Sequence, residues 1–300
     1  MRALVPSMLA PIEVGPDTDL VFYDAVPSLG DVSGVEFFVP PYMGNPRDLE
    51  VLGTMPRLSV VQLLTAGYES VLPWLPKGVT LCNAEGVHDA STSELAVGLM
   101  LASLRGIDAA ARAMTTGTWD HRPLTSLADR SVLIVGSGGV GRAIHDRLVP
   151  FEVTIRRTAR SAREGIFGPE ELPELLAQSD IVVVAVPLDD STRSLVDEEF
   201  LSQMVDGSLL VNVSRGEVVD TVAMLKEVDR LRFALDVTDP EPLPTGHPLW
   251  SATNVLITPH VGGDTSAFLP RARRLVSAQL DRWAHGDRLE AIVVPDAIRP

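Results

Sequence analysis

The stretch Val132-Leu133-Ile134-Val135-Gly136-Ser137-Gly138-Gly139-Val140-Gly141 constrains this chain more than any other. Four aliphatic residues in a row read as a strand buried on both faces. The next six fit G-x-G-x-x-G, and a short helix is expected over Arg142–Leu148. Each glycine has its own task. Gly136 allows the tight turn, Gly138 lets a diphosphate approach the main chain, and Gly141 lets helix and strand pack closely. Amides at the helix start then face the phosphates. The pattern predicts a dinucleotide site built on Gly136, Gly138, Gly139, Val140 and Gly141.

The flanking sequence extends this unit. Strands are expected at Val153–Arg156, Ile181–Val186, Leu209–Val213, Phe233–Val237 and Val255–Thr258, with helices at Glu170–Gln178, Val222–Val228 and Ser266–Ala284. That alternation predicts a doubly wound parallel sheet. The first ninety residues alternate short apolar runs with Pro and Gly. Strands are expected at Arg2–Val5, Leu20–Tyr23, Val35–Val39, Leu58–Leu64 and Val79–Cys82, with helical turns at Arg47–Met55 and Glu69–Leu75. A helix capped at Ser91 or Thr92 could run to about Gly117. The last stretch, Leu289–Pro300, is expected to return to the first domain.

Composition sets the class of partner. Against 25 Lys and Arg stand 40 Asp and Glu, a net charge of −15. That field repels nucleic acid and anionic membrane surfaces, though a local basic pocket can still hold an anionic substrate. The lone cysteine, Cys82, excludes an intrachain disulfide and a thiolate metal cluster, and no metal site is expected. No apolar run is long enough to span a bilayer, and the first residues do not read as a signal peptide. A cytoplasmic protein is expected.

The second strand of the unit selects the cofactor. NAD binding asks for a carboxylate about 20 residues on, to accept the ribose hydroxyls. This chain has Ile155-Arg156-Arg157-Thr158-Ala159-Arg160 instead. Guanidinium groups bind a 2′-phosphate through paired charged hydrogen bonds. NADP(H) is the preferred cofactor on this reading, with Arg157 in the acid's place and Thr158 and Arg160 assisting; NAD(H) remains possible.

Three polar residues follow three different strands: Arg215 after VNVS, Glu241 after ALDVTDP and His260 after VLITP. Loops at the carboxyl ends of such strands line the ligand crevice. A cation, a carboxylate and an imidazole suit reduction of a 2-keto acid. Arg215 would clamp the substrate carboxylate and polarise its carbonyl. His260 would donate the proton, and Glu241 would orient the ring and favour its charged form. The other five histidines have no comparable setting.

These segments resemble the D-isomer-specific 2-hydroxyacid dehydrogenases. VLIVGSGGVGRA is similar to the family's cofactor turn, VPLDDSTRSLV to its PLTxxTxxLI stretch and VNVSRGEVVD to its NxxRGxxVD signature. ALDVTDPEPLPTGHPLW is similar to DVFxxEPLPxxxPL, and ITPHVGGDT to TPHxGGxT. The likeness covers roughly Ser131–Thr265, with weaker similarity in Gln62–Arg105. It implies an α/β protein of two domains, a Rossmann-type sheet and a flavodoxin-like substrate domain, with the active site in the cleft and a homodimer formed through the cofactor domains. The expected division is 1–91 with 285–300 for the substrate domain and 92–284 for the dinucleotide domain.

The resemblance further implies that Ala66 and Gly67 offer amides to the substrate carboxylate. It places Thr92, Val186, Pro187, Ser214 and Gly262 near the cofactor and gives Asp236 to its carboxamide. Within the family, the acid Glu241 argues against a formate dehydrogenase. The basic loop and DVTDPEPLP most resemble NADPH-dependent glyoxylate/hydroxypyruvate reductases. An NAD-dependent phosphoglycerate dehydrogenase-like enzyme is the rival reading, and a dinucleotide-sensing corepressor on the same fold is the non-enzymatic one.

Overall fold

The computed structural model describes residues 1–295. The chain forms two compact units, Met1–His88 together with the chain from Ser266 onward, and Asp89–Thr265. The second unit therefore begins three residues earlier and ends well before the boundaries expected at 92 and 284. Of the expected return segment 285–300, the last five residues lie outside the described residues.

The first unit opens with β1 (Arg2–Pro6), β2 (Asp19–Tyr23), β3 (Phe37–Phe38), β4 (Val60–Gln62) and β5 (Thr80–Cys82). They lie in the order β2-β1-β3-β4-β5, all parallel, which is the flavodoxin-like order. Several strands are shorter than the apolar runs that announced them. Val35, Val39, Leu58 and Leu63 are buried outside the ladders, so hydrophobicity marked burial rather than pairing. The expected turns between 47 and 55 form one 3₁₀ segment, Pro46–Thr54, with Asn45 capping its first turn by accepting from the Arg47 amide.

The second unit starts with α1 (Asp89–Leu104) and α2 (Ile107–Met114). The single long helix expected to about Gly117 is thus two. Gly106 adopts φ 57 and ψ 32, a left-handed conformation that ends the first helix before the second begins. The first also starts two or three residues before the expected caps, leaving Ser91 and Thr92 buried within it. There follow β6 (Ser131–Val135), α3 (Gly139–Leu148), β7 (Thr154–Thr158), α4 (Leu172–Leu176) and β8 (Ile181–Val184). Next come α5 (Glu198–Gln203), β9 (Leu209–Asn212), α6 (Thr221–Glu227), β10 (Arg232–Leu235) and β11 (Val255–Ile257). The sequence reading missed α5, a short helix whose cap Asp197 accepts from the Phe200 amide.

All six strands of this sheet are parallel, in the order β7-β6-β8-β9-β10-β11. The chain direction across the sheet reverses between β6 and β8, the switch point where such sheets bind ligands. Period-two alternation divides the core. Val132, Ile134, Ile181, Val183 and Leu209 pack with α1 and α3, while Leu133, Val135, Val182, Val184 and Leu210 pack with α4, α5 and α6.

The chain then returns to the first unit with α7 (Phe268–His285) and β12 (Ile292–Val294). The expected bounds 92–284 place this helix with the dinucleotide domain, but Phe268, Ala272, Val276 and Leu280 pack against the sheet face formed by Ala3, Val5, Phe37 and Val60. Buried Gln279 fixes it further, donating to Gln62 Oε1 at 2.8 Å and to the Glu290 carbonyl at 2.9 Å. β12 pairs antiparallel with β5 at the sheet edge, as the expected return requires.

Candidate active site

The glycine turn follows β6 as expected. Gly136 sits at φ 112, and its amide donates to the Thr158 carbonyl at 3.1 Å. A Cβ there would collide with the Ala185 carbonyl, and one on Gly141 would collide with the Gly136 carbonyl. At Gly138, by contrast, an added Cβ meets nothing within 4 Å. Two glycines are required by packing, and the third leaves open space at the start of α3. That is the arrangement a diphosphate needs, so these residues fit a dinucleotide. Gly139 leaves room for a carboxylate the sequence reading missed, Asp89, whose side chain a Cβ at Gly139 would strike. An acid there suits the positive end of the helix dipole. Val186 lies on the loop after β8; its amide would stand 3.1 Å from a Cβ on Gly136, which places Val186 beside the turn.

The basic segment on β7 is divided. Thr158 is buried, and its carbonyl accepts from both the Gly136 amide and Ser137 Oγ. That carbonyl holds the turn. Arg157 pairs in register with Ile134 and shares the sheet face of Ile155, which packs toward α3. Arg160 lies beyond the strand and makes an ion pair with Asp189.

At the other strand ends, the structure brings Arg215, Glu241 and His260 together. His260 Nδ1 and Glu241 Oε1 are 2.5 Å apart, which leaves Nε2 for chemistry. Burial pushes the Glu241 pKa up, but the hydrogen bond and charge of His260, the Thr238 amide and the Arg215 charge more than offset it, so the carboxyl lies below its ordinary value. Gly216, next to Arg215, lies so close to the Thr238 carbonyl that a Cβ would collide with it. The Arg-Gly pair thus presses the arginine loop against the loop carrying Glu241.

Asp236 is the hub of the histidine loop. It is 3% exposed, so its acceptors must be satisfied within the protein. Oδ1 accepts from Thr258 Oγ1 at 2.7 Å and from the Val261 amide at 2.9 Å; Oδ2 accepts from the Gly262 amide at 2.8 Å. Its carbonyl also accepts the His260 amide at 2.8 Å. His260 itself takes φ 53, a left-handed backbone that non-glycine residues seldom adopt. A Cβ on Gly262 would stand 2.8 Å from Asp236 Oδ2 and 3.5 Å from Thr92, so these three assigned cofactor residues do converge. A second hub escaped the sequence reading. Asn212 donates to the Arg215 carbonyl at 2.9 Å and accepts from the Ser214 amide and hydroxyl at 3.0 and 2.7 Å. The Ser214 hydroxyl is thereby committed within the turn. The signal was an asparagine closing a buried strand just before Arg-Gly.

In the first unit, Ala66 and Gly67 lie on the loop after β4. The Asn83 amide nitrogen donates to the Ala66 carbonyl at 2.7 Å, and Thr65 Oγ1 donates to the Gly67 carbonyl at 2.8 Å. The loop is thus held through its carbonyl acceptors. His88 is buried, stacked on Phe268 and bonded to the Leu64 carbonyl at 2.8 Å. Among the described residues, no group of three or more His, Cys, Asp or Glu could hold a metal ion. No described helix is long and apolar enough to cross a membrane.

A glycine turn at the switch point of one parallel sheet, in a chain whose other unit has the flavodoxin-like strand order, defines a two-domain α/β protein of the dinucleotide-binding dehydrogenase class. Comparison with known proteins gives the family. Residues 97–262 match the profile of the D-isomer specific 2-hydroxyacid dehydrogenase, NAD binding domain. The chain is 34% identical over 269 residues to a glyoxylate reductase of Thermofilum pendens, covering 84% of this chain and 79% of that one. It is 35% identical over 235 residues to the human glyoxylate reductase/hydroxypyruvate reductase, covering 73% and 71%. An NADPH-dependent glyoxylate/hydroxypyruvate reductase of Sinorhizobium meliloti, solved with NADP and sulfate, superposes with TM-score 0.84 at 25% identity over 97% of this chain and 98% of that one. The chain belongs to the D-isomer specific 2-hydroxyacid dehydrogenase family, oxidoreductases that use a nicotinamide dinucleotide.

Proposed function

We propose that this protein reduces a small, unphosphorylated 2-keto acid of the glyoxylate or hydroxypyruvate kind to the D-2-hydroxy acid, with NADPH preferred. The observation that carries the reading is the His260–Glu241 pair under the charge of Arg215. A bound nicotinamide dinucleotide supplies the hydride. Protonated His260 donates from Nε2 to the substrate oxygen while Glu241 holds Nδ1 and steadies the imidazolium. Arg215 takes the substrate carboxylate and polarises the carbonyl. Asp236 positions the histidine loop and has lone-pair capacity left for the carboxamide.

The NADPH preference rests on Arg157 and Arg160 standing where an NAD site needs an acid. The relatives named above, glyoxylate reductases and an NADPH-dependent reductase, support both substrate and cofactor. A cytoplasmic homodimer completes the proposal. The exposed side chains of Ile107, Met114 and Trp119 in and after α2 support self-association through the second unit.

The test follows absorbance at the nicotinamide band with a panel of 2-keto acids and either reduced cofactor. Oxidation of NADPH by glyoxylate or hydroxypyruvate, faster than of NADH, is the expected result. Equal or better turnover of 3-phosphohydroxypyruvate would overturn the substrate choice. Silence across the panel with NADPH still bound would favour a sensor.

A further inference from the structure

Two loops flank the glycine turn. One leaves β7, whose Thr158 carbonyl holds the Gly136 amide, and carries Arg160 two residues on. The other leaves β8, passes beside Gly136 at Val186, and carries Asp189. An ion pair joins them: Arg160 Nη2 donates to Asp189 Oδ2 at 2.5 Å. A ribose whose diphosphate sat on the glycine turn would lie between these loops.

Asp189 is not a loose surface acid. Its Oδ1 accepts from the Ser191 amide at 2.9 Å and from Ser191 Oγ at 2.6 Å. Its own amide donates to Thr192 Oγ1 at 2.8 Å, and that hydroxyl donates to the Pro187 carbonyl at 2.6 Å. The Ser191 bonds above all, helped by Arg160, hold the carboxyl below the usual range. Oδ2 is what remains to face Arg160.

We infer that Asp189 competes with the cofactor's 2′-phosphate for Arg160, and so sets how strongly the site prefers a phosphorylated over an unphosphorylated dinucleotide. The inference deepens the proposed function and rests on its reading of Arg157 and Arg160 as the ribose-phosphate loop. A 2′-phosphate arriving at Arg160 meets a guanidinium already half neutralised and a fixed carboxylate that repels it. Arg157 has no ion pair among the described residues. The loop therefore holds one engaged cation and one unengaged, which makes the preference graded and leaves NADH usable.

The experiment isolates the phosphate with two probes, adenosine 2′,5′-bisphosphate and 5′-AMP, titrated by calorimetry. Four proteins are compared: wild type, Asp189→Asn, Arg160→Gln and the double variant. Asp189→Asn is expected to tighten the bisphosphate roughly three- to tenfold while AMP stays within about twofold, the scale of an exposed charge pair plus one lost repulsion. In the Arg160→Gln background that gain disappears. An unchanged or weakened bisphosphate affinity, equal tightening of both probes, or a gain that persists without Arg160 would each overturn the inference. A wild type that binds both probes alike would sink the NADP reading. Asp189 would then keep its role only if Asp189→Asn creates a preference that Arg160→Gln removes.

Discussion

The ligand edge of the second unit has two ends built to different standards. At the reaction end, both oxygens of Asp236 accept hydrogen bonds from the chain that carries His260, and Gly216 and Gly262 leave no room for a methyl group. At the proposed ribose end, Arg160 pairs directly with Asp189 at the surface, with side chains 71% and 37% exposed. One end is over-determined by buried hydrogen bonds and close backbone contacts. The other is held by screened charges that can be exchanged one at a time. A dehydrogenase scaffold of this kind can thus keep its chemistry fixed while its cofactor preference drifts.

The largest expected effect lies at the reaction end. His260→Gln should lower turnover by roughly a hundredfold or more while leaving cofactor affinity nearly intact, because it removes the proton donor and little else. Steady-state rates beside a cofactor titration check it, and unchanged turnover would take the acid role from His260. Next is Gly216→Ala. Its Cβ would meet main chain rather than a yielding side chain, so the Arg215 and Glu241 loops must part. A loss of about 2–4 kcal/mol of stability is expected, above the usual overpacking cost, with turnover falling as well. Urea unfolding measures the first. A variant as stable and active as wild type would show that the reaction end is looser than its contacts indicate.

Much of this division was legible in the sequence. Gly136, Arg215, Glu241 and His260 each follow a strand of one sheet, and a parallel sheet delivers such loops to one edge whatever the detail between them. Partners were not legible. Nothing local marks Asp189 as the mate of Arg160, 29 residues before it, or Asp236 as the hub for the chain 25 residues later. α7 was misassigned for a related reason. Its helical pattern is clear, but which sheet it covers is decided by packing against residues more than 200 positions away. Gly106 falls between these cases. An isolated glycine in a helical pattern is compatible with a continuous helix or with a break, and only its left-handed backbone settles the matter.

At the ribose end, Arg157→Asp should change the ratio of NADPH to NADH affinity by roughly ten- to a hundredfold in favour of NADH, the scale of one charged hydrogen bond to phosphate. Paired fluorescence titrations measure it. A ratio that does not move would mean that the 2′-phosphate is not read by β7.

The smallest effect compares the two carboxyls directly, through acid. Both Glu241 and Asp189 titrate below their ordinary values in the folded chain. A carboxyl of this kind adds stability that is fully present above its unfolded pKa and is lost as pH falls through the lower folded value. For Glu241 the loss begins near its ordinary value of 4.5 and continues below it. Its side chain is 39% exposed, so after solvent screening the contribution is no more than about 1 kcal/mol. Glu241→Gln should therefore lose less stability than wild type between about pH 5 and pH 3, followed as Tm against pH. Asp189→Asn should flatten the same curve as well, because the Ser191 hydrogen bonds and Arg160 hold its carboxyl low. Glu241, against its own burial, is held low by His260, the Thr238 amide and Arg215. The two ends therefore reach the same sign of shift by different means, one through a turn of its own and one through the reaction partners. A variant curve that keeps the wild-type slope would show that its carboxyl gains no stability from those partners.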